Sequence, residues 1–105
     1  MYVLVVGDGP VADDFQSIVR SLGHECTISA PASAVASALD HRPDLVVPDL
    51  ATVSASAIAW QIRCALREPV RMTALAHSAT ERAFGTNDRF LLPFDVNAIR
   101  AALAV

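Results

Sequence analysis

The chain has 105 residues, of which 53% are hydrophobic and 18% charged, so it is long enough for one compact core and too short for two. Its net charge is −3, and its eight basic residues, all arginine, are scattered singly, which argues against a nucleic-acid or membrane surface. No signal peptide is visible and every apolar run is far shorter than the roughly 20 residues of a spanning helix, so we predict one soluble, cytoplasmic domain over residues 1–105.

The first half of the chain alternates β-rich runs with stretches of helical period. Residues 2–6 form a continuous aliphatic run that predicts a buried strand, closed by the turn Gly7-Asp8-Gly9-Pro10. A helix is predicted from Pro10, which suits a first-turn position, to Gly23, which ends it. Its apolar face comprises Val11, Phe15, Ile18, Val19 and Leu22. A second strand over residues 25–29 and a weak helix over 32–39 follow, the helix with Val35, Ala38 and Leu39 as apolar positions.

The second half continues the same alternation. A third strand, residues 45–47, leads into Pro48 and Asp49, although proline cannot donate to a sheet ladder and is unusual beside a central strand. Later elements are a helix over 54–66, a strand over 70–76, a short helix over 79–84 and a strand over 90–92. Asp95 is predicted to cap a last helix with Val96, Ile99 and Leu103 facing inward.

This order of elements, (βα)5, predicts the fold class. Strands that alternate with helices need right-handed crossovers and a parallel sheet covered on both faces. We therefore predict an α/β, three-layer, doubly wound sandwich, in which functional groups collect at the carboxyl ends of the strands. Those ends carry two acids, Asp8 and Asp49, and apolar residues after the fourth and fifth strands.

Four segments, in order, resemble successive landmarks of the receiver domain of bacterial response regulators. They are VLVVGDGP (3–10), GHECTISAPASAVASAL (23–39), RPDLVVPDL (42–50) and LLPFD (91–95). The resemblance implies a flavodoxin-like sheet with strand order 2-1-3-4-5. It also implies that Asp49 is equivalent to the aspartate that accepts a phosphoryl group, and that Gly7 and Asp8 fall on the acidic pair that holds Mg²⁺.

The chain departs from that family at the positions that assist phosphorylation. Leu75 takes the place of a hydroxyl residue at the end of strand four, and Leu92 takes the place of a lysine before the proline after strand five. Arg89 takes the place of an aromatic switch residue. Phosphoryl transfer to a carboxylate requires neutralisation of the charge on the phosphoryl oxygens, and Mg²⁺ requires hard oxygen ligands. We therefore expect weak Mg²⁺ binding at Asp8, if any, and no other cofactor.

The resulting hypothesis is a pseudo-receiver, a non-enzymatic module of two-component signal transduction that acts by protein–protein contact. The resemblance implies that a partner protein or a second copy docks on the surface of helix four, strand five and helix five. In this chain that surface would include Arg82, Phe84, Arg89 and Arg100, with Ile99 either there or in the core.

Two alternatives remain open. One is a working receiver that is weakly phosphorylated at Asp49. The other is a dinucleotide-binding half-domain, because Gly7-Asp8-Gly9-Pro10-Val11-Ala12 fits the pattern G-x-G-x-x-A, although no acid follows the second strand to bind a ribose.

The cysteines, the histidines and the single tryptophan are predicted to have structural rather than catalytic roles. Cys26 and Cys64 have no metal-site spacing and are predicted to be buried free thiols. The histidines are predicted to be solvated or locally hydrogen-bonded; they are His24, His41 and His77. Trp60, on the third helix, is predicted to serve packing or partner contact.

Overall fold

The computed structural model describes residues 1–66, 70–77 and 88–104. The strands are β1 (Tyr2–Val6), β2 (Glu25–Ser29), β3 (Leu45–Pro48), β4 (Arg71–Ala76) and β5 (Asp88–Leu91). The helices in the described ranges are α1 (Pro10–Ser21), α2 (Pro31–Asp40), α3 (Ala55–Ala65) and α4 (Val96–Leu103). The short helix predicted over 79–84 lies outside the described residues. No helix within the described ranges has both the length and the apolar character needed to cross a membrane.

The five strands form one sheet in the order β2-β1-β3-β4-β5, and every neighbouring pair is parallel. This confirms the predicted α/β fold class and strand order. β1 lies between β2 and β3, and its residues Val3–Val6 are fully buried. Strands that are covered on both faces need apolar side chains at every position, which is why β1 reads as an unbroken aliphatic run.

Pro48 interrupts the pairing between β3 and β4. The regular register pairs Leu45 with Arg71 and Val46 with Met72, and then resumes only as an isolated bridge between Asp49 and Leu75. Proline has no backbone N–H to donate to a neighbouring strand. Pro48 is tolerated in a central strand because it is the last residue of β3, so that Asp49 begins a new pairing immediately beyond it.

Two hydrophobic cores lie on opposite faces of the sheet. One is formed with α1 and α4 and includes Val3, Val5, Phe15, Val47, Leu75, Phe90 and Ile99. The other is formed with α2 and α3 and includes Leu4, Val6, Ala34, Ala38, Val46, Ala59 and Ile62. Successive residues of β1 alternate between the two cores, as side chains of a strand must. Among the described residues, the sheet is therefore the middle layer, with α1 and α4 on one face and α2 and α3 on the other.

Two apolar side chains on the helices are exposed. Leu39, one of the apolar positions of the second helix, is 59% exposed, because the buried line of α2 runs through Ala34 and Ala38 and a helix turns by about 100° per residue, which carries the next residue away from that line. Val96, at the first position of α4, is 42% exposed, and the buried contacts of this helix begin one turn later at Ile99. The prediction that Val96 faces inward is wrong.

The two thiols are also in different environments. Cys26, on β2, is buried, whereas Cys64 is exposed, so the prediction of burial is confirmed for the first and wrong for the second. Cys64 lies two residues after the buried Ile62 on α3, which places it on the opposite side of the helix. Burial raises the pKa of the Cys26 thiol from 9.0 to about 11, against a smaller lowering by the positive charge of Arg20.

We expect only Cys64 to react in the native protein. The thiolate is the reactive form, so a buried thiol with a raised pKa is protected twice at pH 8, by low ionisation and by lack of access. Titration with a chromogenic disulfide reagent should count one thiol in buffer and two in guanidinium. Cys64→Ser is the control and should leave no reactive thiol in the native state; a full second equivalent in native buffer would contradict the burial of Cys26.

The same chemical change should have opposite consequences at two leucines. Leu45 in β3 is fully buried, so Leu45→Ala is expected to cost about 2–5 kcal/mol of unfolding free energy through lost burial and a cavity. Leu39→Ala is expected to stay within roughly 0.5 kcal/mol because its side chain is largely in water. Urea denaturation followed by circular dichroism measures both. Similar losses for the two variants would show that Leu39 packs after all.

Candidate functional site

The carboxyl ends of the parallel strands meet at one edge of the sheet. Asp8 follows β1 by two residues, and Asp49, His77 and Leu92 each come directly after a strand, namely β3, β4 and β5. In doubly wound folds this edge is where ligands bind. Two acids, one imidazole and one aliphatic side chain are therefore brought to the same end of the sheet.

Asp49 is held at this edge by contacts on both sides. Its backbone N–H donates to the carbonyl oxygen of Val6 at 2.9 Å, and Leu50 N–H donates to the carbonyl oxygen of Leu75 at 3.0 Å. The residue is only 2% exposed. A buried carboxylate is costly unless donors satisfy its oxygens.

Two donors from the chain itself converge on one oxygen of Asp49. The backbone N–H of Ala51 donates to Oδ1 at 3.0 Å, and Nε2 of His77 lies 2.7 Å from the same oxygen. Because the ionised carboxylate only accepts hydrogen bonds, Nε2 is the donor of this pair. The side chain of His77 is 28% exposed and that of Asp49 is 3% exposed, so a buried carboxylate contacts an imidazole that is itself partly in water.

Sequence reasoning missed the role of His77. All three histidines were predicted to be solvated or locally hydrogen-bonded, and His41 is exposed to solvent. His77 instead contacts a side chain 28 positions earlier in the chain. The available signal was its place directly after β4, two residues beyond Leu75, because alternate residues of a strand point to the same side.

Gly7 is packed directly against Asp49. A Cβ atom at Gly7 would lie 2.9 Å from Cβ of Asp49 and 3.3 Å from Oγ1 of Thr52. The backbone after β1 therefore approaches Asp49 so closely that no side chain fits at Gly7 unless something moves. The glycine does more than remove an acid from this position, because the space for an acid is also absent.

The donor set does not fit a bound Mg²⁺. Oδ1 of Asp49 is already engaged by His77 and Ala51, and Gly7 supplies no oxygen ligand. Asp8 is exposed. Across the described parts of the chain, no cluster of three or more His, Cys, Asp and Glu residues is arranged to hold a metal ion.

Two of the other substituted positions carry aliphatic side chains at the ends of β4 and β5. Leu75 is fully buried and lies level with Asp49 in the β3–β4 pairing. Leu92 is partly buried, and its backbone N–H donates to the carbonyl oxygen of Ala76 at 3.1 Å. Arg89 lies within β5, level with Ala74 of β4. Neither leucine carries a donor for an anionic oxygen.

The residues predicted for partner contact are only partly described. Arg82 and Phe84 lie outside the described residues. Arg100 is exposed on α4 and donates to Oδ1 of Asn97 at 3.2 Å, and Arg89 is partly exposed on β5. Ile99 is 1% exposed and belongs to the core.

The glycine-rich turn does not resemble a pyrophosphate site. Gly7 N–H donates to the carbonyl oxygen of Ser29 at 3.0 Å, and the Cα of Gly7 faces the carboxylate group of Asp49. A carboxylate at this place repels an approaching phosphate. The geometry therefore disfavours the dinucleotide-binding alternative.

Comparison with solved structures identifies the fold. The chain is similar to a CheY-like response-regulator receiver domain from Methylobacillus flagellatus, with a TM-score of 0.82 and 18% identity over 98% of this chain and 95% of that one. It is also similar to the receiver domain of a sensor histidine kinase from Pseudomonas aeruginosa, solved with magnesium in its active-site cleft, at a TM-score of 0.75, 27% identity and coverages of 97% and 93%.

A third similar structure is NtrX from Brucella abortus in complex with ATP, at a TM-score of 0.81 and 21% identity; the match covers 97% of this chain and 26% of NtrX. No protein-family model and no curated protein matches the sequence. The evidence for the family is thus structural, and it agrees with the order of motifs along the chain. The chain has the fold of the receiver domains of response regulators.

Proposed function

We propose that this chain is an atypical receiver domain of bacterial two-component signalling that works through protein contact and without phosphorylation of Asp49. The observation that carries the proposal is the state of the acceptor carboxylate. Asp49 is 2% exposed, and its Oδ1 already accepts two hydrogen bonds from the chain. It is a signalling module rather than an enzyme, and we assign it to the bacterial cytoplasm.

The surroundings of Asp49 support this proposal because they are poor in the groups that phosphoryl transfer needs. Charge that builds up on the phosphoryl oxygens has to be neutralised by cations or preorganised donors. The positions that supply a hydroxyl and a lysine in the family are Leu75 and Leu92, and the sequence contains no lysine at all. A phosphoryl group on Asp49 would therefore face aliphatic carbon at both positions.

The surface proposed for docking is formed by β5 and α4. It combines two arginines, Arg89 and Arg100, with two partly exposed apolar side chains, Leu91 at 38% and Val96 at 42% exposure. Residues 82 and 84 belong to the same surface by sequence prediction. Arginine beside apolar side chains is typical of protein–protein contact sites, and the occupant is a partner protein or a second copy of this chain.

Beryllofluoride, a mimic of the aspartyl phosphate, tests the proposal directly. In the presence of Mg²⁺, ¹⁹F NMR of the native chain is expected to show only free beryllofluoride, because the carboxylate is engaged and the family's lysine is absent. Amide spectra should likewise be unchanged. A bound ¹⁹F signal that disappears in Asp49→Asn would contradict the proposal and favour the alternative of weak phosphorylation at Asp49.

Restoring the missing acid is expected to damage the protein rather than to create a Mg²⁺ site. Gly7→Asp forces a Cβ to within 2.9 Å of Cβ of Asp49 and adds a like charge, so we expect a loss of about 1–3 kcal/mol of unfolding free energy. Urea denaturation measures this, and Mg²⁺ titration by NMR measures metal binding.

Gly9→Asp is the matched control. Gly9 has open space around its Cα and is the N-cap residue of α1, a position where Asp accepts hydrogen bonds from the first turn. We expect its stability to be unchanged or raised by a few tenths of a kcal/mol. A Gly7→Asp variant that is as stable as Gly9→Asp and binds Mg²⁺ would show that the site is open.

A further inference from the structure

The side-chain donor that reaches Asp49 follows an unexpected strand. The family resemblance implies a lysine after β5, at the place of Leu92. In this chain the side-chain donor is His77, which follows β4 and lies 2.7 Å from Oδ1 of Asp49. Leu92 has no side-chain donor, and the residue that follows β4 supplies one instead.

The sheet register shows that these two positions are neighbours. Ala76 pairs with Leu91, and Leu92 N–H donates to the carbonyl oxygen of Ala76, so the residues that follow, His77 and Leu92, are adjacent at the carboxyl edge. β4 lies between β5 and β3, and it is therefore one strand nearer to Asp49. An imidazole on β4 can reach a carboxylate for which a longer side chain would be needed from β5.

A buried carboxylate needs such a donor whether or not it is ever phosphorylated. Removal of the partner of a buried charged group leaves its desolvation unbalanced. Among the described residues, no buried side-chain nitrogen or oxygen lacks a hydrogen-bond partner. His77 meets this requirement at Asp49, and by doing so it engages one of the two carboxylate oxygens, Oδ1.

We propose that His77 is an internal ligand of the acceptor site, which holds Asp49 closed against phosphoryl groups and their mimics. The site is then closed by a contact within the chain, in addition to lacking the hydroxyl and the lysine that Leu75 and Leu92 replace. This inference rests on the proposed function and names the residue that closes the site. It also predicts that the site can be reopened by mutation, because a lysine at position 92 can act at Asp49 only when His77 is removed.

A two-by-two set of variants tests this competition. The four proteins carry His or Ala at position 77 and Leu or Lys at position 92, and bound beryllofluoride is measured by ¹⁹F NMR in the presence of Mg²⁺. Gly7 is unchanged in all four proteins, so Mg²⁺ remains poorly held and binding is expected to be weak throughout. We expect His77→Ala/Leu92→Lys nevertheless to give a bound signal at high beryllofluoride concentration through the new lysine, and Leu92→Lys alone to bind at least about 10-fold more weakly, the factor that one charge-assisted hydrogen bond represents. Adding Asp49→Asn to the double variant should abolish the signal.

His41→Ala combined with Leu92→Lys is the matched control. His41 is exposed and packs against Tyr2, away from the acceptor edge, so this variant should behave like Leu92→Lys alone. Dispersion of the amide spectrum confirms that each variant is folded. His77→Ser replaces His77→Ala if the alanine variant does not fold.

The outcomes separate this inference from the function on which it rests. Binding that is equally tight in Leu92→Lys and in the double variant would overturn the inference alone, because His77 would then not compete. A folded double variant without a bound signal would overturn it as well. A bound signal in the native chain that depends on Asp49 would overturn the proposed function.

Discussion

A parallel sheet that is covered on both faces leaves its strand ends as the place where polar chemistry can gather, and the rest of this molecule follows from that constraint. Val3–Val6 of β1 and Leu45–Val47 of β3 are fully buried, and neither of these stretches contains a polar side chain. Asp49 is the first polar group that β3 can carry, and it comes directly after Pro48. It is still buried at that point, which makes its hydrogen-bond partners a condition of folding.

The two sides of Asp49 meet this condition in different ways. Backbone hydrogen bonds and the close approach of Gly7 fix the residue within the sheet edge, while the imidazole of His77 contacts its Oδ1 at 2.7 Å. The contacts around this buried acid thus also engage one of its two carboxylate oxygens and fill the space beside Gly7. In the function proposed above, stability of the native state and closure of the site are two effects of one set of contacts.

Local patterns in the sequence predict the fold well. The aliphatic run of β1 and the helical spacing of Phe15 and Val19 depend on neighbours a few residues away, so they can be read without coordinates. The errors concern which side of a helix faces the core. Val96 and Cys64 are apolar enough to suggest burial, and only the packed helices show that both are exposed.

The sequence predicts where the site lies but not which side chains contact each other there. The order of the strands and the position of Asp49 directly after one of them lead to the correct edge of the sheet. The contact between Asp49 and His77 is non-local, and it depends on the β4–β5 and β3–β4 registers, which Pro48 partly interrupts. No spacing rule within a single segment contains that information.

The close approach of Gly7 to Asp49 limits what single substitutions can do at this edge of the sheet. A Cβ atom at position 7 does not fit in the present arrangement, so an acid there requires the first loop to lie farther from Asp49. A lysine at position 92 meets a carboxylate that His77 already engages. No one substitution is therefore enough to build the family's acid-and-lysine site in this chain, and changes at several positions have to be made together.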